Sequence, residues 1–223
     1  MILTLDQHQR VQLAEYTTTP CIAYQAAGTS VWFHDLHDAL IQEKSLPAIL
    51  KLAIDEAQEW HKEQVYEKEP FTPYIIHCWE VSTVFEKYVD KPTMAQRIGT
   101  WHHDLFEDTA YPHAKHLKTY GEQAHGIVQA CTGHGPNRKT RQATIHQQLL
   151  ENTLAIDSKI SDRAVNMSHA KTNAKLGPIY AKEAGQWDEI IALSASTALT
   201  NYWYEQRNNL PHWPLSLPSP SPF

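Results

Sequence analysis

Four residues from three separate stretches of the chain could together bind a divalent metal ion. They are His77, the neighbours His103 and Asp104, and Asp162. Two imidazoles and two carboxylates suit a borderline or hard divalent ion, and the nitrogen atoms favour manganese, iron or zinc over magnesium. Such an ion would keep positions open for water and phosphate oxygens, as metal-assisted hydrolysis requires.

Further polar residues lie near these four in the sequence. Glu107 and Asp108 follow the His-Asp pair, and Lys159 and Asn166 share a predicted helix face with Asp162. Each piece alone is weak evidence, because a histidine on an apolar helix face is usually a packing residue and a solvated face gives the same polar spacing. The order and spacing of the whole set are a stronger indication of one site.

Helical periodicity predicts how His77 is positioned. Apolar residues three or four apart predict an amphipathic helix that begins at Ser45 and ends near His61. A second apolar stripe follows Pro73, and His77 lies on it. We therefore expect the His77 side chain to face the interior of the protein.

A third predicted helix carries the His-Asp pair. Thr93 and Gln96 match a capping box at its start, and His103 and Asp104 lie at its C-terminal end. Adjacent side chains on a helix diverge by about 100°, so these two residues could share one ion only by flanking it near the helix end.

Helices are also predicted through the second half of the chain. Two short ones are separated by Gly121, a glycine-rich loop covers 133–137, a helical pattern runs through 140–169, and a last helix carries Trp187 and the apolar residues up to position 202. The cations Arg138, Lys139 and Arg141 follow the loop. They form either a lip that attracts a polyanionic substrate or an ordinary solvated helix start.

The composition indicates a globular protein rather than a disordered or membrane-spanning one. Hydrophobic residues make up 42% and charged residues 20%. The formal net charge of -6 argues against a nucleic-acid partner. No apolar run is long enough to span a membrane, the N-terminus does not resemble a secretory signal, and the three cysteines form no paired motif. These features predict a cytoplasmic protein.

The predicted fold class is all-α, with one domain and two extensions. We expect an N-terminal extension over 1–44, a helical domain over 45–205 and a Pro/Ser-rich tail over 206–223. The chain carries no glycine-rich phosphate loop of the kinds found in nucleotide-binding parallel sheets. A nucleotide-binding fold of that type is therefore disfavoured.

The stretch from about Ala53 to Met167 resembles the hydrolase domain of RelA/SpoT-type alarmone enzymes and their small stand-alone relatives. These are HD-domain metal-dependent phosphohydrolases. The matching segments are Trp60 and His61 with Gln64, Thr72 to His77, His103 to Thr109, and Lys159 to Arg163 with Asn166 and Met167. The most specific parts are the Glu-Asp-Thr string after His-Asp and the Lys-x-x-Asp-Arg-x-x-Asn pattern.

The resemblance implies an HD-domain helical bundle around one divalent ion, typically manganese. The implied ligands are His77, His103, Asp104 and Asp162, with Glu107 and Asp108 orienting or deprotonating the attacking water. Candidate substrate-binding residues are Tyr66, Lys68, Lys159, Arg163 and Asn166. The implied reaction releases pyrophosphate from the 3′ position of guanosine 3′,5′-bis(diphosphate) or its pentaphosphate form, the (p)ppGpp alarmones of the stringent response.

Two departures from the family keep other substrates open. Where an Arg-Lys pair commonly follows the His-x-x-Gln segment, this chain has Tyr66 and Glu67, and Phe71 replaces a usual glycine. Tyr66 could stack on a base but lacks the bidentate contacts of a guanidinium. The alternatives are a nucleotidase, a deoxynucleotide triphosphohydrolase, an NADPH phosphatase, or a non-catalytic nucleotide-binding module resembling an antitoxin. A homo-oligomer and a cognate synthetase or toxin are left open as partners.

Overall fold

The computed structural model describes residues 23–26, 29–32, 47–65, 73–171 and 173–211. Within the predicted N-terminal extension it contains two strands, β1 (Ala23–Ala26) and β2 (Thr29–Trp32). They pair antiparallel, with Ala23 opposite Trp32. These strands are not predicted by the sequence, because four residues are too few to establish a periodic pattern.

The remainder of the described chain is helical. Its α-helices are α1 (Ala48–His61), α2 (Ile75–Tyr88), α3 (Met94–Trp101), α4 (Leu105–Asp108), α5 (His113–Cys131), α6 (Arg138–Glu151), α7 (Ile156–Ala170), α8 (Leu176–Ala184), α9 (Asp188–Ile191) and α10 (Thr197–Asn208). Short 3-10 turns at Thr153–Ala155 and Gly185–Trp187 precede α7 and α9. The helical fold class is thus confirmed for this part of the chain.

Helix α7 lies at the centre of the fold. Almost all of its residues are buried, including the charged residues Lys159, Asp162 and Arg163. It packs against α2 on one side and α10 on another. Buried charges are costly unless they are paired or bind an ion, so this helix must carry a polar site inside the protein.

Helix α3 is held against α5 by a close approach of the two backbones. Gly99 of α3 has no side chain, and a Cβ built there would lie 2.4 Å from Cγ2 of Ile127. The predicted capping box is confirmed, because Thr93 Oγ1 accepts from the Gln96 backbone N–H at 3.2 Å. The helix ends at Trp101, which leaves His103 and Asp104 in the turn before α4.

The helix breaks in the second half follow the predictions in part. Gly121 has a positive φ of 82° and kinks α5 where two short helices were predicted. The helical pattern over 140–169 is divided, however, because α6 ends before Asn152. The predicted last helix is also two helices, since the Ser196 side chain caps α10 by accepting from the Leu199 N–H.

No helix among the described residues is long and apolar enough to cross a membrane. Helix α10 continues to Asn208, beyond the boundary predicted at position 205. The Pro/Ser-rich stretch 212–223 and most of 1–44 lie outside the described residues.

Candidate metal centre

The structure brings together the side chains of His77, His103, Asp104 and Asp162. One ligand atom from each residue lies within 4.8 Å of the others, and all four residues are buried. They come from α2, the α3–α4 turn and α7. The sequence alone could not place these three stretches together, so this convergence is the decisive structural observation about the site.

The spacing of the ligand atoms fits a single ion. Nε2 of His103 lies 3.2 Å from Nε2 of His77 and 2.9 Å from Oδ2 of Asp104. Nε2 of His77 lies 3.5 Å from the same Asp104 oxygen and 3.3 Å from Oδ1 of Asp162. Atoms bound about 2.1 Å from one ion are about 3.0 to 3.4 Å apart in octahedral or tetrahedral geometry, so the cluster can hold a divalent ion.

The orientation of the His103 ring is set by the backbone of α3. Its Nδ1 lies 2.9 Å from the Thr100 carbonyl oxygen, which can only accept a hydrogen bond. Nδ1 therefore carries the proton, and the lone pair of a neutral ring lies on Nε2, which faces the cluster. A carbonyl that accepts from the other ring nitrogen is the usual support for a metal-binding histidine.

The neighbouring His102 points away from the cluster. Its Nε2 lies 2.7 Å from the Ala53 carbonyl oxygen and its Nδ1 lies 3.0 Å from Nε2 of His116. Burial lowers the pKa of His102 to about 4, so this ring is neutral near pH 7. His102 therefore links α1, the α3–α4 turn and α5, and it takes no part in the cluster.

The electrostatics of the cluster favour a bound cation. Burial opposes the charged form of His77, but hydrogen bonds to Asp104 and Asp162 outweigh it and raise the pKa to about 10. Burial likewise opposes ionisation of Asp104, yet His103 and His77 hold the pKa of this carboxyl well below its usual range. Two ionised carboxylates in a buried place require positive charge beside them.

Lys159 and Asn166 surround Asp162. The Lys159 ammonium lies 2.7 Å from Oδ2 of Asp162, and the pKa of Lys159 is raised because these carboxylates outweigh the effect of burial. The Asn166 amide donates to Oδ1 of Asp162 at 2.5 Å. The shared face predicted for these three residues is therefore present, with Lys159 and Asp162 buried and Asn166 half-buried, and it lines the cavity.

Tyr74 contributes to the centre although it was not among the predicted site residues. Its hydroxyl donates to Oδ2 of Asp104 at 2.5 Å, and its ring contacts His77 edge-on. The residue lies within the Thr72 to His77 segment that carried the family resemblance, so its position in the motif was the available signal. Its hydrogen bond orients the carboxylate oxygen that faces both imidazoles.

Glu107 and Asp108 both line the cavity beside the cluster, which has a volume of about 250 Å³. Oε2 of Glu107 accepts from the Gly133 backbone N–H at 3.0 Å. Burial and the charge of Asp104 raise the pKa of Asp108 to about 6. The Gln64 side chain donates to the Asp108 carbonyl oxygen at 2.6 Å, which connects the segment after α1 to helix α4.

Two aromatic and two basic residues from the second half of the chain line the same cavity. They are Tyr180, Trp187, Arg138 and Arg163. The guanidinium of Arg163 lies over both rings, 4.7 Å from the Tyr180 centroid and 4.8 Å from the Trp187 centroid. Tyr180 and Trp187 carry no motif in the sequence, and Trp187 was expected only as a core residue. Tyr66 and Lys68, the other predicted substrate contacts, lie outside the described residues.

Comparison with known proteins identifies the fold. No family model and no curated protein sequence matches the chain. Among solved structures, the chain is similar to a metazoan ortholog of SpoT that hydrolyzes ppGpp and plays a role in starvation responses, with a TM-score of 0.65 at 17% sequence identity. The similar region covers 74% of this chain and 97% of that chain. This chain has an HD-domain fold.

The HD-domain fold accounts for the position of the cluster. Helix α2, the α3–α4 turn and the central helix α7 place His77, the His-Asp pair and Asp162 around one point in the interior. The resemblance inferred from the motifs is therefore confirmed for the fold and for the buried His/Asp centre. At 17% identity the similarity concerns the fold, and the reaction has to be argued from the chemistry of the site.

Proposed function

We propose that this protein is a metal-dependent phosphohydrolase that removes pyrophosphate from the 3′ position of guanosine 3′,5′-bis(diphosphate). The observation that carries the proposal is the convergence of four buried ligand atoms within 4.8 Å, next to an open cavity with two further carboxylates. The similarity in fold to a protein that hydrolyzes ppGpp supports the choice of substrate.

In this proposal His77, His103, Asp104 and Asp162 hold one divalent ion, for which manganese is the first candidate. Each offers one atom whose spacing to the others suits a common ion. A divalent ion at this place lowers the pKa of water and offsets charge on a phosphate. The four residues hold the ion rather than react with the substrate, so no covalent nucleophile is needed.

Asp108 and Glu107 have different roles towards the attacking water. Asp108 has a pKa of about 6, close to the range in which a general base works at neutral pH. We assign it the role of proton acceptor. Glu107 is held by the Gly133 N–H and lies 3.6 Å from the Arg141 guanidinium, so it orients the water and the loop rather than accepting the proton.

Substrate contacts are assigned to Lys159, Arg163 and Asn166, which line the same cavity. A cation and an amide beside the cluster suit phosphate oxygens and a ribose hydroxyl. Tyr66 and Lys68 are retained as candidates for the base or a second phosphate on the strength of the sequence resemblance.

Product analysis tests the proposal directly. Purified full-length protein is incubated with manganese, magnesium or zinc and a panel of phosphorylated nucleotides, and the products are separated by chromatography. Guanosine 3′,5′-bis(diphosphate) should yield GDP and pyrophosphate only when metal is present, and Asp104→Ala should abolish turnover. Faster phosphate release from another nucleotide would refute guanosine 3′,5′-bis(diphosphate) as the substrate. Binding of nucleotide without turnover in the presence of each metal would refute the proposal that the protein is an enzyme.

A further inference from the structure

Arg138, Arg163 and Glu183 form a second charged network, and the two arginines line the cavity. Nε and Nη2 of Arg138 donate to the two carboxylate oxygens of Glu183 at 2.6 and 2.9 Å. Nη2 of Arg163 donates to Oε2 of the same carboxylate at 3.2 Å. Two guanidiniums from α6 and α7 are thus joined by one residue of α8.

The network is held on an aromatic surface. The guanidiniums of Arg138 and Arg163 lie 4.9 and 4.7 Å from the centroid of the Tyr180 ring. Despite burial, the Arg138 hydrogen bonds and the Arg163 charge lower the pKa of the Glu183 carboxyl. Glu183 is therefore ionised near pH 7, and the group of two arginines and one glutamate carries a net charge of one positive unit.

The two arginines differ in exposure. The side chain of Arg138 is 43% exposed and that of Arg163 is 7% exposed, and both residues line the cavity. The Nε–H of Arg163 has no acceptor among the described residues, but this nitrogen has almost no accessible surface and does not meet a molecule in the cavity. The net positive charge of the group is therefore presented mainly by Arg138, and an anionic group of a bound molecule is the partner that this charge suits.

We propose that Glu183 is a positioning residue that holds Arg138 and Arg163 as a clamp for a second phosphate group of the substrate, distinct from the one that is hydrolysed. This inference rests on the proposed function and narrows its substrate class to nucleotides that carry phosphate at two positions. A substrate with a single phosphate would occupy the metal centre and leave the clamp empty.

Kinetics with two substrates test the clamp. Arg138→Gln and Glu183→Gln should each raise KM for guanosine 3′,5′-bis(diphosphate) about tenfold, since each removes or turns away a charged hydrogen-bond donor. The value of kcat should change by less than about threefold, because the metal centre is left in place. KM for p-nitrophenyl phosphate should stay the same. Lys182→Gln, which removes an exposed charge next to Glu183, is the matched control.

Two results would contradict the clamp. Equal losses of kcat/KM on both substrates would assign these residues to the fold or the metal centre. An unchanged or lower KM for guanosine 3′,5′-bis(diphosphate) in Glu183→Gln would overturn the positioning role. Arg138 is 43% exposed, so Arg138→Gln tests the clamp even where Glu183→Gln fails to fold. Thermal unfolding of each variant separates these cases.

A binding measurement makes the result independent of turnover. Inorganic pyrophosphate is titrated into the full-length chain in metal-free buffer and followed by calorimetry. We expect wild type and Lys182→Gln to bind equally, and Arg138→Gln and Glu183→Gln to bind about tenfold more weakly. If this pattern holds while wild type hydrolyses neither substrate, the clamp stands and the proposed function fails. Equal binding by all four proteins overturns the clamp whatever the turnover.

Discussion

At the scale of single residues, the hydroxyl of Tyr74 holds the oxygen of Asp104 that faces both imidazoles. Tyr74→Phe removes this hydrogen bond and keeps the ring, which stacks on His61 with 4.8 Å between centroids. Loss of such an outer contact weakens metal binding by about 10-fold to 100-fold, and we expect the Kd for manganese to rise within that range. Electron paramagnetic resonance measures the free manganese.

Tyr120→Phe is the control for this change. Its hydroxyl donates to Glu56 at 2.7 Å, so the variant loses a tyrosine hydroxyl without touching a residue of the cluster. The manganese Kd should then equal that of wild type. Equal Kd values for Tyr74→Phe and wild type would show that the hydroxyl does not orient Asp104.

The adjacent histidines 102 and 103 should respond differently to substitution. His103→Ala removes a cluster atom, and we expect no stoichiometric manganese binding. His102→Ala leaves the cluster but removes the partner of the Ala53 carbonyl, so the free energy of unfolding should fall by about 1–3 kcal/mol while one manganese still binds. Metal analysis and urea unfolding separate the two effects, and loss of metal from both variants would contradict the assigned orientations.

Residue types and the family motifs were enough to predict the members of the four-residue cluster, although only the fold brings them together. They were not enough for Tyr180 and Trp187, which line the cavity only through the packing of α8 and the turn that follows it, or for Glu183, which joins the two arginines. The family motif selected His103 rather than His102, but the physical reason appears only in the fold. His103 meets the Thr100 carbonyl of α3, whereas His102 meets the Ala53 carbonyl of α1.

At the scale of elements, the close contact between α3 and α5 positions the His-Asp turn. Gly99→Ala places a Cβ 2.8 Å from Cβ of Ile127, which is a rigid part of a fully buried side chain. The two helices must move apart, and the free energy of unfolding should drop by about 1–3 kcal/mol. Urea unfolding measures the drop, and manganese binding reports any shift of the turn.

A double-mutant cycle identifies the cause of that loss. Gly99→Ala should cost less in an Ile127→Ala background, because this change removes the Cγ2 atom at 2.4 Å and leaves only the contact with Cβ at 2.8 Å. An equal cost in both backgrounds would show that the glycine acts through something other than this contact.

The presence of a helix was easier to predict than the points at which a helical stretch is divided. Apolar spacing marked most of the helices, since an amphipathic stripe follows directly from burial of one face. The break at Asn152 escaped detection because a single 3-10 turn, Thr153–Ala155, lets the apolar spacing continue into α7. The break before α10 rests on the Ser196 cap, a signal that the apolar pattern around it masked.

At the scale of the whole molecule, buried neutral histidines should make the protein sensitive to acid. Burial lowers the pKa of His102 to about 4, and burial together with the charge of His102 lowers that of His116 to about 3, against 6.5 for the unfolded chain. The unfolded chain therefore binds more protons below pH 6.5. Stability falls as the pH drops from 6.5 towards 4, by on the order of 3 kcal/mol for His102.

Urea unfolding of the metal-free chain over this acidic window measures the loss. His116→Asn should give a shallower decline, since one of the two depressed groups is removed. A decline that is as steep in His116→Asn as in wild type would assign the acid sensitivity to other groups.

The metal centre should produce the opposite slope on the alkaline side, and bound metal should remove it. In the metal-free chain, hydrogen bonds to Asp104 and Asp162 overcome burial and raise the pKa of His77 to about 10, from 6.5 when unfolded. The stabilising proton is fully bound below pH 6.5 and is lost as the pH rises towards 10, so stability declines over this window. Metal ions bind the deprotonated imidazole, so with saturating manganese only the unfolded chain carries this proton, and the stability should rise as the pH approaches 6.5 and stay level above it. Urea unfolding with and without manganese gives both profiles, and His77→Gln should remove the metal-free decline. A decline that persists at saturating manganese would mean that the ion does not replace the proton at this cluster.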